Sequence, residues 1–174
     1  GRNHYSVAES SWDTWLDGYV TGAPGRKVSI YVEGALIAMI CDAKIREQTS
    51  GEKSLHDVMK GLYSGSALET NYDKNDYKNW LEKVSGSDFN EIFDKLIYNN
   101  TDFTNYLKKA FSIFGWEYEN IPSENLSFRY GFKTSVKSGK LVVHNLLEKS
   151  SAFLSGLAIG DKLISINDYA INND

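Results

Sequence analysis

Tyr31 combines a hydrogen-bonding side chain with a position where that side chain could act. It lies in "KVSIYVEGALIAMICDAKIRE", residues 27–47, whose pattern predicts one helix that is mostly apolar through its middle. A side chain in the first turn leans toward the helix N-terminus, so the phenol would project beyond the helix end, where the positive end of the helix dipole favours negative charge. The alternative is an ordinary interfacial tyrosine with a packed ring and a surface hydroxyl, as most of the 11 tyrosines must be.

The other side chains that could carry chemistry form no constellation that the sequence reveals. His4, His56 and His144 lie far apart, without the spacing of metal ligands. The sequence contains no H-E-x-x-H motif and no glycine-rich phosphate loop, and no Ser–His–Asp grouping can be assembled from it. Cys41 is the single cysteine, so a disulfide within the chain is excluded, and its apolar surroundings predict a small buried hydrophobic residue.

Composition bounds the class of protein and its partners. With 174 residues, 41% hydrophobic and 13% aromatic, the sequence can build a packed core. The net charge of −4 argues against non-specific binding of nucleic acid, which needs a surplus of Lys and Arg facing the phosphates. The longest apolar run, residues 35–41, is far shorter than the ~20 residues of a membrane-crossing helix. We therefore expect neither a nucleic-acid partner nor a membrane span.

The first two-thirds of the sequence predicts six short helices joined by loops of ordinary length. Ser10 or Ser11 would cap the first helix, and the second is the helix of Tyr31. One helical face of the first carries its large apolar side chains, Trp12, Trp15, Leu16 and Tyr19. The remaining helices are predicted in "SLHDVMKGLY" after its capping Ser54, with Leu55, Val58, Met59 and Leu62 on the inner stripe, in "DKNDYKNWLEKV", in "DFNEIFDKLIYN" and in "DFTNYLKKAFSIFGW".

Beyond residue 120 the pattern changes to short strands and turns. The series "VHNLLEKSSAFLSGLAIGDKLISIND" resembles a PDZ domain of the bacterial protease type, in which a strand is followed by a Ser-Ala helical turn and then by a Gly-Leu, Gly-Asp and Ile-Asn pattern. The matching residues are Ser151, Ala152, Gly156, Leu157, Gly160, Asp161, Leu163, Ile164, Ile166 and Asn167. The resembling domains continue with a helix and further strands, so we expect a partial module in residues 126–174.

The PDZ resemblance implies a peptide-binding loop at Tyr130, Gly131 and Phe132. In such domains a hydrophobic-Gly-hydrophobic loop holds a peptide carboxylate with backbone N–H groups, and the strand that follows pairs with the peptide. Gly131 would let the backbone approach the ligand closely. The alternative is that Tyr130 and Phe132 are core residues that flank a turn.

Taken as a whole, the sequence resembles the C-terminal half of the glycyl aminopeptidase family. These are zinc metallopeptidases of the thermolysin-like gluzincin group that end in a PDZ domain. Three segments that precede the PDZ-like part carry the resemblance in the correct order: "SVAESSWDTW", "VSIYVEGALIAMICDAKIRE" and "SLHDVMKGLY". Together with that part they cover nearly all of the 174 residues.

The resemblance implies a role for Tyr31, because related gluzincins carry Tyr-x-x-Gly at a helix start and Tyr31-Val32-Glu33-Gly34 matches it. There the phenol donates a hydrogen bond to the oxyanion of the tetrahedral intermediate. Gly34, Ala35 and Ala38 follow and would leave room for another element to pack closely. The zinc motif of the family lies upstream of residue 1, so we expect zinc in the full-length enzyme and neither zinc nor activity in this chain alone. Tyr5 and Glu9 are pocket candidates only because they lie close to the first motif.

The sequence as a whole therefore predicts an α+β fold, with the helical part of a metallopeptidase catalytic domain in residues 1–120 and the partial PDZ-like module after it. The function that the resemblance implies is hydrolysis of N-terminal glycine or other small residues from peptides by a bacterial enzyme of the cytoplasm or periplasm. Its partners would be peptide substrates, with a peptide C-terminus or a protein docked at the PDZ-like module. A non-catalytic helical adaptor with the same module is the alternative.

Overall fold

The computed structural model describes residues 4–17, 28–65, 73–121 and 129–171. Helices come first along the chain and small antiparallel sheets follow them, so the fold belongs to the α+β class, which confirms the class predicted from sequence. The described residues fall into two compact units. The helical unit comprises residues 4–17, 28–65 and 73–119, and the β unit comprises residues 120–121 and 129–171.

The helical unit contains helices whose ends are set by recognisable caps. Ser29 caps the second helix, Asp73 and Asp76 form a capping box at the fourth, and Gly86, in the left-handed region at φ +69°, ends the fourth. The bounds are α1 (Val7–Asp17), α2 (Ile30–Gln48), α3 (Leu55–Gly65), α4 (Lys74–Ser85), α5 (Asn90–Ile92), a π-helix that continues α5 (Phe93–Tyr98) and α6 (Thr104–Ile113).

The core of this unit is built around α2. Buried side chains from α2 pack with buried side chains from α3 to α6: Ile37, Ile40, Cys41, Ala43, Ile45, Val58, Leu62, Leu81, Phe89, Ile92, Phe93, Leu96, Phe103 and Ala110. Burial raises the pKa of the Cys41 thiol to about 12, so this cysteine stays protonated and acts as a packing residue, as its surroundings in the sequence indicate. Met59 departs from the predicted inner stripe of α3, because its side chain is exposed.

Helix α1 differs from its prediction in two respects. It begins at Val7 and not after Ser10 or Ser11, because Ser6 caps it: the Ser6 hydroxyl accepts a hydrogen bond from the Glu9 N–H at 3.1 Å. Its large apolar residues do not face the core. Trp12, Trp15 and Leu16 are 77%, 89% and 83% exposed in the described structure, whereas Ser6 and Ser10 are buried. Tyr19, the fourth residue of the predicted face, lies outside the described residues.

The β unit has a three-stranded antiparallel sheet in the order β1-β2-β3, formed by β1 (Phe132–Lys137), β2 (Lys140–Leu146) and β3 (Lys162–Leu163). Ser138 and Gly139, both with positive φ, form the tight turn between β1 and β2. The short helix α7 (Ser151–Leu154) lies between β2 and β3 in the chain, and β4 (Ser165–Ile166) pairs with β5 (Tyr169–Ala170) in a second sheet.

The apolar residues of this unit are buried unevenly. Val142 and Val143 of β2 are buried, whereas Ile164 and Ile166 of the predicted "GDKLISIND" strand are exposed. The segment does not form one alternating strand, because β3 ends at Leu163 and β4 begins at Ser165 in a different sheet. Among the described helices of both units, none has the length and apolar character needed to cross a membrane.

Candidate functional sites

The start of α2 presents Tyr31 to solvent. The N-cap Ser29 accepts a hydrogen bond from the Val32 N–H through its hydroxyl at 3.4 Å and from the Glu33 N–H through its carbonyl at 2.9 Å. These bonds fix the first turn, in which Tyr31 is the second residue, and its side chain is 66% exposed. The hydroxyl is therefore carried on a capped, regular helix end and not on a loop.

Among the described residues, nothing covers the face of α2 beside this tyrosine at Gly34. A Cβ atom built on Gly34 would meet no atom of the described residues within 4 Å, and Ala35 is exposed. The described chain therefore leaves space next to Tyr31 that another element or a ligand could occupy, which is the consequence that the small residues after Tyr31 predict.

Helix α1 is tied to the chain just before α2 through its buried serine face. The Ser10 hydroxyl accepts a hydrogen bond from the Val28 N–H at 3.1 Å, two residues before α2 begins, and this bond is buried. Ser10 thus links α1 to the segment that precedes α2. The opposite face of α1 carries the exposed Trp12, Trp15 and Leu16. We call these three residues the α1 aromatic face. Exposed apolar surface of this kind marks a site of association.

Glu9, a weaker candidate from sequence, is engaged in the fold of α1. Its carboxylate accepts hydrogen bonds from the Ser6 N–H and the Ser6 hydroxyl, both at 2.8 Å, and these bonds lower the pKa of Glu9. The carboxylate and the Ser6 hydroxyl form a reciprocal capping box. Tyr5, the other weak candidate, is half-buried, and its ring lies edge-on to His4 with 6.5 Å between the centroids.

The described residues do not bring together a set of metal ligands. Within residues 4–17, 28–65, 73–121 and 129–171 there is no group of three or more His, Cys, Asp or Glu side chains that could hold a metal ion. A zinc ion bound as in a metallopeptidase needs three protein ligands and an open position, and this part of the chain does not supply them.

The loop of Tyr130, Gly131 and Phe132 leads into the edge of the three-stranded sheet. Tyr130 is exposed, Gly131 is buried, and Phe132 is half-buried as the first residue of β1, opposite Leu146. In the described sheet β1 pairs with β2 alone, so its other edge faces away from the sheet. The register of β1 shifts between Lys133 and Thr134, an irregularity of the kind that bends a strand at a sheet edge.

Gly131 is required by packing within the β unit. Its φ is +81°, and a Cβ atom there would lie 2.2 Å from the Cβ and 2.6 Å from the hydroxyl oxygen of Ser150. Its carbonyl accepts a hydrogen bond from the Leu147 N–H at 2.6 Å, and the Ser151 hydroxyl donates to the Tyr130 carbonyl at 3.4 Å. The glycine thus lets this loop lie against the turn after β2, a role that the sequence pattern does not reveal.

A cleft of about 420 Å³ between α2, α5 and α6 is a site that sequence reasoning missed. Its floor is apolar, and its rim carries the polar side chains Lys44, Glu47, Glu91, Asn105, Tyr106 and Lys109. No short motif marks these residues in the sequence. The only signal in the sequence is that Ala43 and Ala110 are small residues at inward-facing positions, where the two helices otherwise carry larger side chains.

No model of a known protein family matches the sequence, and no curated protein matches it. Support for a function therefore comes from the residues themselves and from the resemblance of the motifs.

Proposed function

We propose that this chain forms the C-terminal part of the catalytic domain of a zinc-dependent aminopeptidase, together with a PDZ-like unit that docks a peptide. The substrate would be a peptide with glycine or another small residue at its N-terminus. The observation that carries the proposal is the placement of Tyr31, whose exposed phenol stands at the capped N-terminus of α2 beside open space at Gly34.

The chemical role of Tyr31 is to donate a hydrogen bond to the oxyanion that forms when water adds to the scissile carbonyl. The helix N-terminus adds a positive partial charge at the same place, which favours developing negative charge. A preorganised donor of this type contributes about 3 kcal/mol to transition-state stabilisation, or roughly a hundredfold in kcat. The hydroxyl acts in this role as a neutral donor and needs no deprotonation.

Zinc would supply the activated water when bound, and its ligands would come from a segment other than the described residues. The α1 aromatic face supports such an arrangement, since it is an apolar surface in the same unit as Tyr31 and is joined to the start of α2 by the Ser10–Val28 bond. A segment that packs against this face would bury the two tryptophans and would belong to the same helical unit as Tyr31.

The PDZ-like unit would bind an extended peptide along β1. Strand β1 lies at the edge of its sheet, and an edge strand offers backbone N–H and C=O groups to an added strand. The loop of Tyr130, Gly131 and Phe132 stands at the beginning of this edge, where the end of the peptide would lie.

A non-catalytic adaptor is the second candidate function. The edge position of β1 favours it, because this feature requires no zinc and no Tyr31 chemistry. In that case the α1 aromatic face would hold a protein partner and not a catalytic segment.

The two functions differ in metal content and turnover of the full-length protein that contains this sequence. The enzyme is expected to hold one equivalent of zinc, measured by inductively coupled plasma mass spectrometry, and to release the leaving group from glycine p-nitroanilide with loss of activity in 1,10-phenanthroline. A full-length protein without zinc and without turnover on any aminoacyl p-nitroanilide would overturn the aminopeptidase proposal and favour the adaptor.

A further inference from the structure

The cleft between α2, α5 and α6 has an apolar floor of helix residues. Ile40 and Ala43 of α2, Ile92 of α5 and Ala110 of α6 are all buried and line it. Ala43 and Ala110 are the smallest of these four residues, and they lie on two helices, α2 and α6, that contact each other. A volume of about 420 Å³ lies within the range of small-molecule sites.

The rim of this cleft carries both signs of charge. The Lys109 ammonium lies 2.7 Å from a Glu47 carboxylate oxygen, so one ion pair spans α6 and α2. Glu91 accepts hydrogen bonds from the Tyr106 hydroxyl at 2.8 Å and from the Lys95 ammonium at 3.0 Å. On the same rim, the Lys44 ammonium donates to the backbone carbonyl of Asp88. The rim therefore offers an ammonium to a ligand carboxylate and a carboxylate to a ligand ammonium.

We propose that this cleft binds a free α-amino acid with an aliphatic side chain. The side chain would rest on Ile40, Ala43, Ile92 and Ala110, the carboxylate would pair with Lys109, and the ammonium would pair with Glu47 or Glu91. This inference stands on the cleft alone and does not depend on the aminopeptidase function.

The charged groups of the rim can give up their present partners within the protein and pair with a ligand instead. The side chains of Lys109 and Glu47 are 65% and 35% exposed, and exposed ion pairs contribute little to stability, so opening this pair costs little. The Lys95 and Tyr106 hydrogen bonds lower the pKa of Glu91, which therefore remains an anion at neutral pH and can accept from an ammonium. The floor stays apolar throughout, which selects for an aliphatic side chain over a polar one.

The proposal is tested by titrating the ¹⁵N-labelled 174-residue chain with L-leucine and following its amide signals. Saturable shifts are expected at Ala43 and Ala110, with an affinity in the millimolar range or tighter. Three analogues separate the contributions: isoamylamine lacks the carboxylate, 4-methylvalerate lacks the ammonium, and glycine lacks the side chain. Each is expected to bind at least about tenfold more weakly than leucine.

Variants locate the site. Lys109→Met is expected to weaken leucine binding about tenfold, while Lys108→Met, one residue away on the same helix and exposed, leaves it within about twofold. Ala110→Leu fills the cleft and is expected to abolish binding if it folds. Absence of saturable shifts up to about 10 mM leucine, equal binding of any analogue, or equal effects of Lys109→Met and Lys108→Met would overturn the proposal.

Discussion

Gly131→Ala is expected to destabilise the β unit strongly, because alanine is disfavoured at this position for two independent reasons. A φ of +81° is unfavourable for a residue with a Cβ atom, and that atom would lie 2.2 Å from Ser150 Cβ. The backbone strain costs about 1 kcal/mol and the overlap about 1–3 kcal/mol, so the expected total is about 3 kcal/mol. A core of this small size rarely supplies more than about 3–5 kcal/mol.

Two further variants separate the strain from the overlap. Gly156→Ala is the matched control, since its φ is +88° but a Cβ atom there would meet no described atom within 4 Å, so it should cost only about 1 kcal/mol. Ser150→Gly in the Gly131→Ala background removes the overlapping atoms. It should restore most of the stability lost through the overlap. Loss of the Ser150 cap of α7, which accepts from the Phe153 N–H, should cost only a few tenths of a kcal/mol, because glycine is a tolerable cap.

The assay is urea unfolding of the 174-residue chain, read from the amide signals of β1 and β2. The reasoning is refuted if Gly131→Ala is no more destabilising than Gly156→Ala, or if Ser150→Gly restores nothing. Either result would mean that Ser150 does not confine Gly131 and that the glycine serves something other than packing.

Three other outcomes follow from the helical unit. Asp42→Ala should lower the free energy of unfolding by about 1–2 kcal/mol in urea titrations, because an Asp42 carboxylate oxygen accepts from the Leu55 N–H at 2.6 Å at the start of α3; no change would contradict this. Cys41 should resist alkylation by iodoacetamide at pH 8 until the helical unit unfolds, because a thiol pKa of about 12 leaves almost no thiolate. Rapid alkylation of the native protein, monitored by mass spectrometry, would contradict the burial of Cys41. The hydrogen bonds from Ser6 lower the pKa of Glu9, so the ionised carboxylate stabilises α1 at pH values above the pKa of the unfolded chain. This stabilisation is lost as the pH falls through the pKa of the folded state. Glu9→Gln should therefore weaken the dependence of the melting temperature on pH in the acid range, as measured by circular dichroism.

Helix positions were predictable wherever a local signal decides them. Ser54 directly precedes α3, Gly86 ends α4 in the left-handed region, and Gly115, at φ +75°, follows the end of α6. Caps and glycines act through their immediate neighbours, so the sequence contains the information.

Features that depend on distant residues were not predictable. Ser10 looked like a helix cap but is buried and bonded to Val28, eighteen positions away, and the α1 aromatic face points away from the core. The π-helical form of residues 93–98 has no local sequence signal either. In the candidate sites, the motif predicted the helix position of Tyr31, whereas the contact of Gly131 with Ser150 and the cleft beside Ala110 arise from tertiary packing.

The central claim is that the Tyr31 hydroxyl stabilises charge on a substrate, and one comparison tests it most directly. Tyr31→Phe is measured in the full-length protein for kcat on glycine p-nitroanilide and for zinc content, with Tyr63→Phe, an exposed tyrosine on α3, as the matched control. We expect kcat to fall roughly a hundredfold or more with zinc still bound, and the control to be unaffected. An unchanged kcat in Tyr31→Phe, with zinc present in both proteins, would contradict the account.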